Sequence, residues 1–236
     1  MSSTEHIVSS FDRDLEAIQA NIMRMGGMVE EAISNSARAL DSRDPDLAAQ
    51  VRRGDGAIDA LDTQINEEAA RIIAQRQPIA TDLRTILTVF RISSNLERIG
   101  DYAKNIAKRS EAIMDHPPVN GTGASLRRMA RQVELMLKDV LDAYIQRDPD
   151  MARDVRDRDI EVDQMYSALF REYLTFMMED PRNISTCMHL HFMAKNIERM
   201  GDHATSIAEQ VIYLVTGEMP EDDRPKHQEL PGADGP

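Results

Sequence analysis

Four pairs of acidic residues, each with three residues between its members, are the groups in this sequence best suited to binding a cation. Two pairs lie in a phrase that occurs twice, Asn95-Leu96-Glu97-Arg98-Ile99-Gly100-Asp101 and Asn196-Ile197-Glu198-Arg199-Met200-Gly201-Asp202. The other two are Asp55 with Asp59 and, at the corresponding place of the second half, Asp159 with Asp163. Residues four apart share one face of a helix, so each pair presents two carboxylates together. Oxygen ligands of this kind suit magnesium, calcium, manganese or iron.

The repeated phrase also carries two local penalties. Like charges four apart on an exposed helix cost roughly 0.2–0.5 kcal/mol, and a glycine inside a helix costs about 1 kcal/mol relative to alanine. Because both penalties occur twice, we expect a compensating reason: Gly100 and Gly201 allow a neighbouring helix to approach closely, and the acids face a cation. Arg98 and Arg199 offer a competing explanation, since they could neutralise the acids by ion pairing.

The sequence lacks the usual signatures of catalysis in a helical protein. No histidine follows an acid by three residues, which is the element that di-iron helical bundles use. No glycine-rich loop ends in Lys-Ser or Lys-Thr, so the phosphate-binding loop of nucleotide hydrolases is missing. His203, beside Asp202, is the one histidine that we keep as a weak candidate ligand. The sequence therefore favours a protein that is not an enzyme, with a carboxylate-bridged metalloenzyme as a less favoured alternative.

The spacing of apolar residues predicts six long helices in two similar halves. In the first helix the stripe runs from Phe11 through Ile18, Ile22 and Met25 to Leu40 at steps of three, four or seven residues. Most of the first half recurs about 104 residues later, and the repeated phrase returns after 101. We expect an all-α fold, a tandem pair of antiparallel three-helix bundles. The predicted boundaries are 8–114 for the first bundle, 115–124 for a linker, 125–216 for the second bundle and 217–236 for a disordered acidic tail.

Composition narrows the class of protein. The net charge of −13 argues against nucleic-acid binding and against direct attraction to anionic lipid. The single cysteine, Cys187, cannot form an internal disulfide. No secretory signal precedes Phe11, and no uncharged apolar run approaches the roughly 18 residues that a membrane span needs. These features predict a cytoplasmic protein that meets a membrane only through its partners.

Several motifs together resemble the PhoU family of phosphate-signalling proteins, and the resemblance covers residues 8–216. It rests on the repeated phrase and its continuations, and on two further segments: Met25-Gly26-Gly27-Met28-Val29-Glu30-Glu31 and Gln77-Pro78-Ile79-Ala80-Thr81-Asp82-Leu83-Arg84. Members of this family are tandem three-helix bundles, and some carry multinuclear iron or zinc clusters on acidic pairs of the kind found here. The resemblance implies the metal ligands Asp55, Asp59, Glu97, Asp101, Asp159, Asp163, Glu198 and Asp202, and it leaves magnesium or manganese open as the metal.

The same resemblance implies a function. PhoU-like proteins act as negative regulators of the phosphate-starvation response and modulate phosphate uptake. They link the high-affinity phosphate ABC transporter, through its ATPase PstB, to the sensor histidine kinase PhoR. A homodimer is the expected assembly. An accessory of a low-affinity phosphate transporter is the alternative within the same family.

Overall fold

The computed structural model describes residues 2–119 and 121–221, with side chains from residue 13 onward. It contains six long α-helices and one short 3-10 helix. The helices are α1 (Ser2–Ser42), α2 (Pro45–Arg76), α3 (Thr81–Ala112), α4 (Thr122–Gln146), α5 (Pro149–Glu179) and α6 (Ile184–Thr216), and the 3-10 helix Pro181–Asn183 precedes α6. The prediction of an all-α fold with two three-helix bundles is confirmed.

Two of the expected boundaries do not coincide with the ends of helices. Helix α3 ends at Ala112, and α4 begins at Thr122, inside the range 115–124 that was expected to be a linker. Gly121, with φ of 82°, is the residue before α4 and has no side chain to oppose that backbone conformation. Of the expected tail, residues 222–236 lie outside the described residues, as does the side chain of Phe11.

The turn that opens the second helix of each bundle is built in the same way in both halves. An arginine with a left-handed backbone ends the preceding segment, an aspartate caps the next helix and a proline begins it: Arg43-Asp44-Pro45 and Arg147-Asp148-Pro149. Each aspartate side chain accepts hydrogen bonds from two backbone N–H groups of the first turn. Proline suits that first position because its missing N–H would have had no partner inside the helix.

The two bundles pack against each other through two pairs of helices. Helix α1 contacts α4, and α3 contacts α6, while α2 and α5 lie at the outside of the molecule. Helices α3 and α6 run in opposite directions, because the Arg84 guanidinium at the start of α3 lies 5.4 Å from the Tyr213 ring near the end of α6. At the other end, the Arg109 guanidinium lies 4.5 Å from the Phe192 ring. The inner helices of each bundle, α1 and α3 in the first and α4 and α6 in the second, are thus covered by the other bundle.

An arginine fixes the segment that joins the bundles. The Nη2 atom of Arg43 donates to the backbone carbonyl oxygens of Ile113, Met114 and His116, at 3.4 Å for Ile113 and 2.8 Å for His116. These carbonyl groups belong to the turn that follows α3, outside any helix, so the guanidinium supplies donors that no helix provides. This contact ties the end of α3 to the turn after α1.

The two glycines of the repeated phrase lie where an outer helix approaches an inner one. A methyl group at Gly100 would stand 3.1 Å from Cδ1 of Ile58. A methyl group at Gly201 would stand 2.9 Å from Oδ1 of Asp159. The expectation that these glycines permit close helix approach is confirmed, and the approach brings the first aspartate of the α2 and α5 pairs against α3 and α6.

The caps of α2 and α5 should contribute equally to stability. We expect Asp44→Ala and Asp148→Ala each to lower the free energy of unfolding by about 1 kcal/mol, because two backbone N–H groups lose their acceptor. Urea unfolding measures the change. The control is Gln50→Ala on the exposed face of α2, for which we expect less than about 0.5 kcal/mol. Equal effects of cap and control substitutions would contradict this assignment.

Gly201 and Gly56 provide a matched pair for the packing role of glycine. Gly201→Ala should destabilise the protein by about 1 kcal/mol or more, because the added methyl group forces Asp159 or α5 to move. Gly56→Ala should leave stability unchanged or raise it by up to about 1 kcal/mol, since no atom lies within 4 Å of the added group and alanine is the better helix former. Thermal and urea unfolding of the two variants test the contrast; a stabilised Gly201→Ala protein would refute it.

Candidate functional site

The first acidic site is formed by Asp55 and Asp59 of α2 with Glu97 and Asp101 of α3. Asp55 is the buried member, with 5% of its surface exposed. Its position follows from the packing at Gly100, since Oδ1 of Asp55 lies 3.9 Å from where a methyl group at Gly100 would be. The structure therefore brings the two predicted pairs of this bundle to the same groove between α2 and α3.

Carboxylates in this groove are close enough to affect one another. The pKa of Asp59 is raised, first by burial and then by the charge of Asp55, with a smaller effect of Asp101. The pKa of Glu97 is raised by burial and then by Asp101, with Asp59 and Asp62 also contributing. Burial and like charge both disfavour the ionised forms, so a positive charge in this groove is favoured.

A lysine supplies such a charge in the first acidic site. The Nζ atom of Lys104 lies 2.5 Å from Oδ2 of Asp55 and 3.2 Å from Oδ1 of Asp101. The pKa of Lys104 is raised, chiefly by its hydrogen bond to Asp55 and further by Asp101. This lysine was not among the site residues predicted from the sequence. Its position three residues after Asp101, on the same helix face, was the available signal.

The second acidic site repeats the arrangement on α5 and α6 with Asp159, Asp163, Glu198 and Asp202. Asp159 is buried against Gly201. Glu198 accepts a hydrogen bond of 2.7 Å from Nζ of Lys195. The pKa of Glu198 is raised, mainly by burial, against the opposing effect of Lys195; the charges of Asp202 and Asp163 raise it further. All eight predicted residues thus lie in two grooves, four in each.

The lysines differ between the two sites although the acids match. The position of Lys104 is taken by Thr205 in the second half, and the position of Lys195 is taken by Ser94 in the first. Thr205 is buried and donates to the backbone oxygen of Gly201. The hypothesis that arginines neutralise the acids applies only in part: Arg98 lies 3.8 Å from Glu97. Arg199 places its guanidinium 6.0 Å from the Tyr102 ring.

Two observations bear on whether these residues could hold a metal. The donors are carboxylate oxygens, and two of them, Asp55 Oδ1 and Glu198 Oε2, are buried without a hydrogen-bond partner. Such oxygens fit a hard cation. Within the described side chains, however, no three His, Cys, Asp or Glu residues stand close enough together to hold a metal ion. As the side chains stand, one lysine ammonium group in each site offsets part of the negative charge of the carboxylates.

His203 lies between the bundles, at the contact of α3 with α6. Its Nδ1 atom is 2.7 Å from Oδ1 of Asn95, and its ring centroid is 5.7 Å from that of Tyr102. Burial lowers its pKa, with Asp202 acting in the opposite direction and Arg98 and Arg199 adding to the lowering. A neutral imidazole that bridges two helices is accounted for by packing.

Among the described residues, no helix is both long enough and apolar enough to span a membrane.

Comparison with known proteins identifies the family. The model of the PhoU domain matches this chain twice, over residues 22–110 and 126–211. The chain is 47% identical, over 95% of its length and 94% of the relative, to the phosphate-specific transport system accessory protein PhoU homolog of Rhizobium meliloti (strain 1021). It is 40% identical to the protein of the same description from Pseudomonas aeruginosa, over 92% of this chain and 89% of that one.

Solved structures agree with this result. The crystal structure of PhoU from Pseudomonas aeruginosa superimposes with a TM-score of 0.85 at 39% identity, covering 88% of this chain and 100% of the other. The phosphate transport system regulatory protein PhoU from Streptococcus pneumoniae gives a TM-score of 0.83 at 28% identity, covering 89% and 99%. The fold, the doubled domain and the relatives along nearly the whole chain lead to one conclusion: this protein belongs to the PhoU family.

Proposed function

We propose that this protein is an accessory regulator of phosphate transport that represses the phosphate-starvation response and modulates phosphate uptake. The observation that carries the proposal is the match of both bundles, over nearly the whole chain, to proteins described as phosphate-specific transport system accessory proteins. In this role it couples the high-affinity phosphate ABC transporter, through the ATPase PstB, to the sensor histidine kinase PhoR.

The physical means is differential contact rather than chemistry on a substrate. A rigid protein that binds one state of a kinase more tightly than the other shifts the equilibrium toward that state. When phosphate is plentiful, docking would hold the kinase in its phosphatase-competent state. We place this action in the cytoplasm, with a homodimer as the assembly and the membrane reached only through the transporter and the kinase.

We also propose that the two acidic sites bind metal, with iron or zinc favoured and magnesium or manganese as alternatives. Asp55, Asp59, Glu97 and Asp101 would hold it in one bundle; the second set is Asp159, Asp163, Glu198 and Asp202. A bound cation supplies positive charge that offsets carboxylate repulsion and links an outer helix to an inner one. The raised pKa values of Glu97 and Glu198 and the two unpartnered carboxylate oxygens support this proposal.

Deletion of the gene tests the regulatory role. We expect starvation genes to be expressed in high phosphate, because the kinase loses the contact that favours its phosphatase state. A transcriptional reporter measures this, and a plasmid copy of the gene should restore repression. Removing the kinase as well should abolish the expression. A deletion strain that keeps these genes repressed in high phosphate would refute the role.

Metal analysis of the purified protein tests the acidic sites separately. The variant carries alanine at four acids of the inner helices: Glu97, Asp101, Glu198 and Asp202. Its bound metal, measured by plasma mass spectrometry, should fall to background because half of the carboxylates in each site are gone. The control removes the same charge from exposed acids elsewhere: Glu16, Glu31, Glu67 and Asp157. Unchanged metal content in the first variant, or equal loss in both, would rule out these sites.

A further inference from the structure

The outer helices of the two bundles, α2 and α5, differ in the residues that follow their acidic pairs. On α5, Tyr166, Phe170, Leu174 and Met178 follow one another at intervals of four residues. The corresponding residues of α2, 104 positions earlier, are Asp62, Asn66, Ala70 and Ala74. The second half therefore carries large apolar or aromatic side chains at four positions where the first half has small or polar ones.

Burial in the core does not account for the apolar residues nearest the tip of the second bundle. Leu174 is 40% exposed and Met178 is 78% exposed. On α6, Ile184 is 47% exposed and Met188 is 39% exposed. Isolated apolar residues at a surface are normal, but a cluster from two neighbouring helices is typical of an interaction site.

Contacts between rings join α5 to α6 at one end of this cluster. The His191 ring centroid lies 5.1 Å from that of Phe170 and 5.8 Å from that of Tyr166. Met188 and Ile184 precede His191 by three and seven residues, so they lie on the same face of α6. We call the surface formed by Phe170, Leu174, Met178, Ile184 and Met188 the apolar groove.

The apolar groove continues into the second acidic site. The Nζ atom of Lys195 lies 5.2 Å from the Tyr166 ring centroid and 2.7 Å from Oε1 of Glu198. Beyond this lysine lie three carboxyl groups of the second acidic site, those of Glu198, Asp163 and Asp202, which are near enough to interact electrostatically. One end of the surface is thus apolar and the other is negative.

We propose that the apolar groove and the second acidic site together bind an amphipathic helix of a partner protein, one with an apolar stripe at one end and basic residues at the other. The apolar stripe would pack between α5 and α6 as a further helix, and its basic residues would meet the acidic site. Helix-in-groove recognition has this form. A membrane surface fits less well, because anionic lipid repels the carboxylates and the net charge of −13.

This inference rests on the proposed regulatory function, whose partner it describes. A cation bound in the second acidic site would compete with the basic residues of the partner for the same carboxylates. The probe is a synthetic amphipathic helix of about 18 residues with leucine at helical spacing and lysine at one end. Binding to the full chain is measured by fluorescence anisotropy. Two other peptides serve for comparison. One has the same composition in scrambled order, and the other has glutamate in place of lysine. We expect the first peptide to bind at least about tenfold more tightly than either of the others.

The first groove variant places the residues of the first bundle at three positions of α5: Phe170→Asn, Leu174→Ala and Met178→Ala. It should weaken binding of the amphipathic peptide by about tenfold or more. A second variant with only Leu174→Ala and Met178→Ala changes exposed side chains alone, so it keeps the fold and should show most of the loss. The control, Ile79→Ala with Leu87→Ala, removes exposed apolar side chains from the first bundle and should change binding by less than about twofold.

Several results would overturn the proposal. Equal binding of the scrambled peptide would show general attraction to an acidic protein, and unchanged binding by both groove variants would place the peptide elsewhere. If the groove variants lose self-association in analytical ultracentrifugation, the occupant is a second copy of the chain. If they instead lose binding to vesicles of phosphatidylcholine with phosphatidylglycerol, the occupant is a lipid surface. The peptide could fail to bind while gene deletion still causes expression of starvation genes in high phosphate. That result would refute this inference and leave the regulatory function intact.

Discussion

The burial of one aspartate against one glycine in each bundle is the constraint on which the rest of the site depends. Asp55 lies against Gly100 and Asp159 against Gly201, where a side chain larger than hydrogen would separate the helices. The close approach brings the acidic pairs of neighbouring helices into one groove. It also removes carboxylates from water, which raises the cost of their charge unless a cation is near. The repeated glycine and the repeated acids are therefore parts of a single arrangement.

The two halves keep this arrangement and differ in what surrounds it. Lys104, three residues after Asp101, bridges two carboxylates of the first acidic site. In the second acidic site, Lys195 lies three residues before Glu198 and pairs with it. Beyond the acids, α2 carries Asp62 and Asn66 where α5 carries Tyr166 and Phe170. A duplicated protein whose halves had identical surfaces would present the same face twice. Here the second bundle presents an apolar and acidic groove that the first lacks, so the two bundles are suited to different contacts.

Much of the fold and part of the site were predictable because their causes are local. Helices follow from apolar spacing, and the turns at Asp44-Pro45 and Asp148-Pro149 follow from capping chemistry within a few residues. The grouping of four acids in each groove followed from the duplication together with antiparallel neighbours. Lys104 and Lys195 were missed because a lysine near an acid on a helix is common, and its partner on another helix is not encoded locally. The apolar series on α5 was missed because four-residue spacing is also the pattern of a core stripe.

The sequence by itself determined six helices, a doubled unit, four acidic pairs and membership of the PhoU family, since periodicity, caps and motifs are properties of short segments. Only the tertiary structure decided that α3 and α6 cross in opposite directions, that each glycine faces a buried aspartate, and which carboxylate each lysine contacts. It alone showed that Leu174 and Met178 are exposed rather than buried. The physical reason is that burial and charge pairing depend on which helix lies opposite, and that is set by packing between residues far apart in the chain.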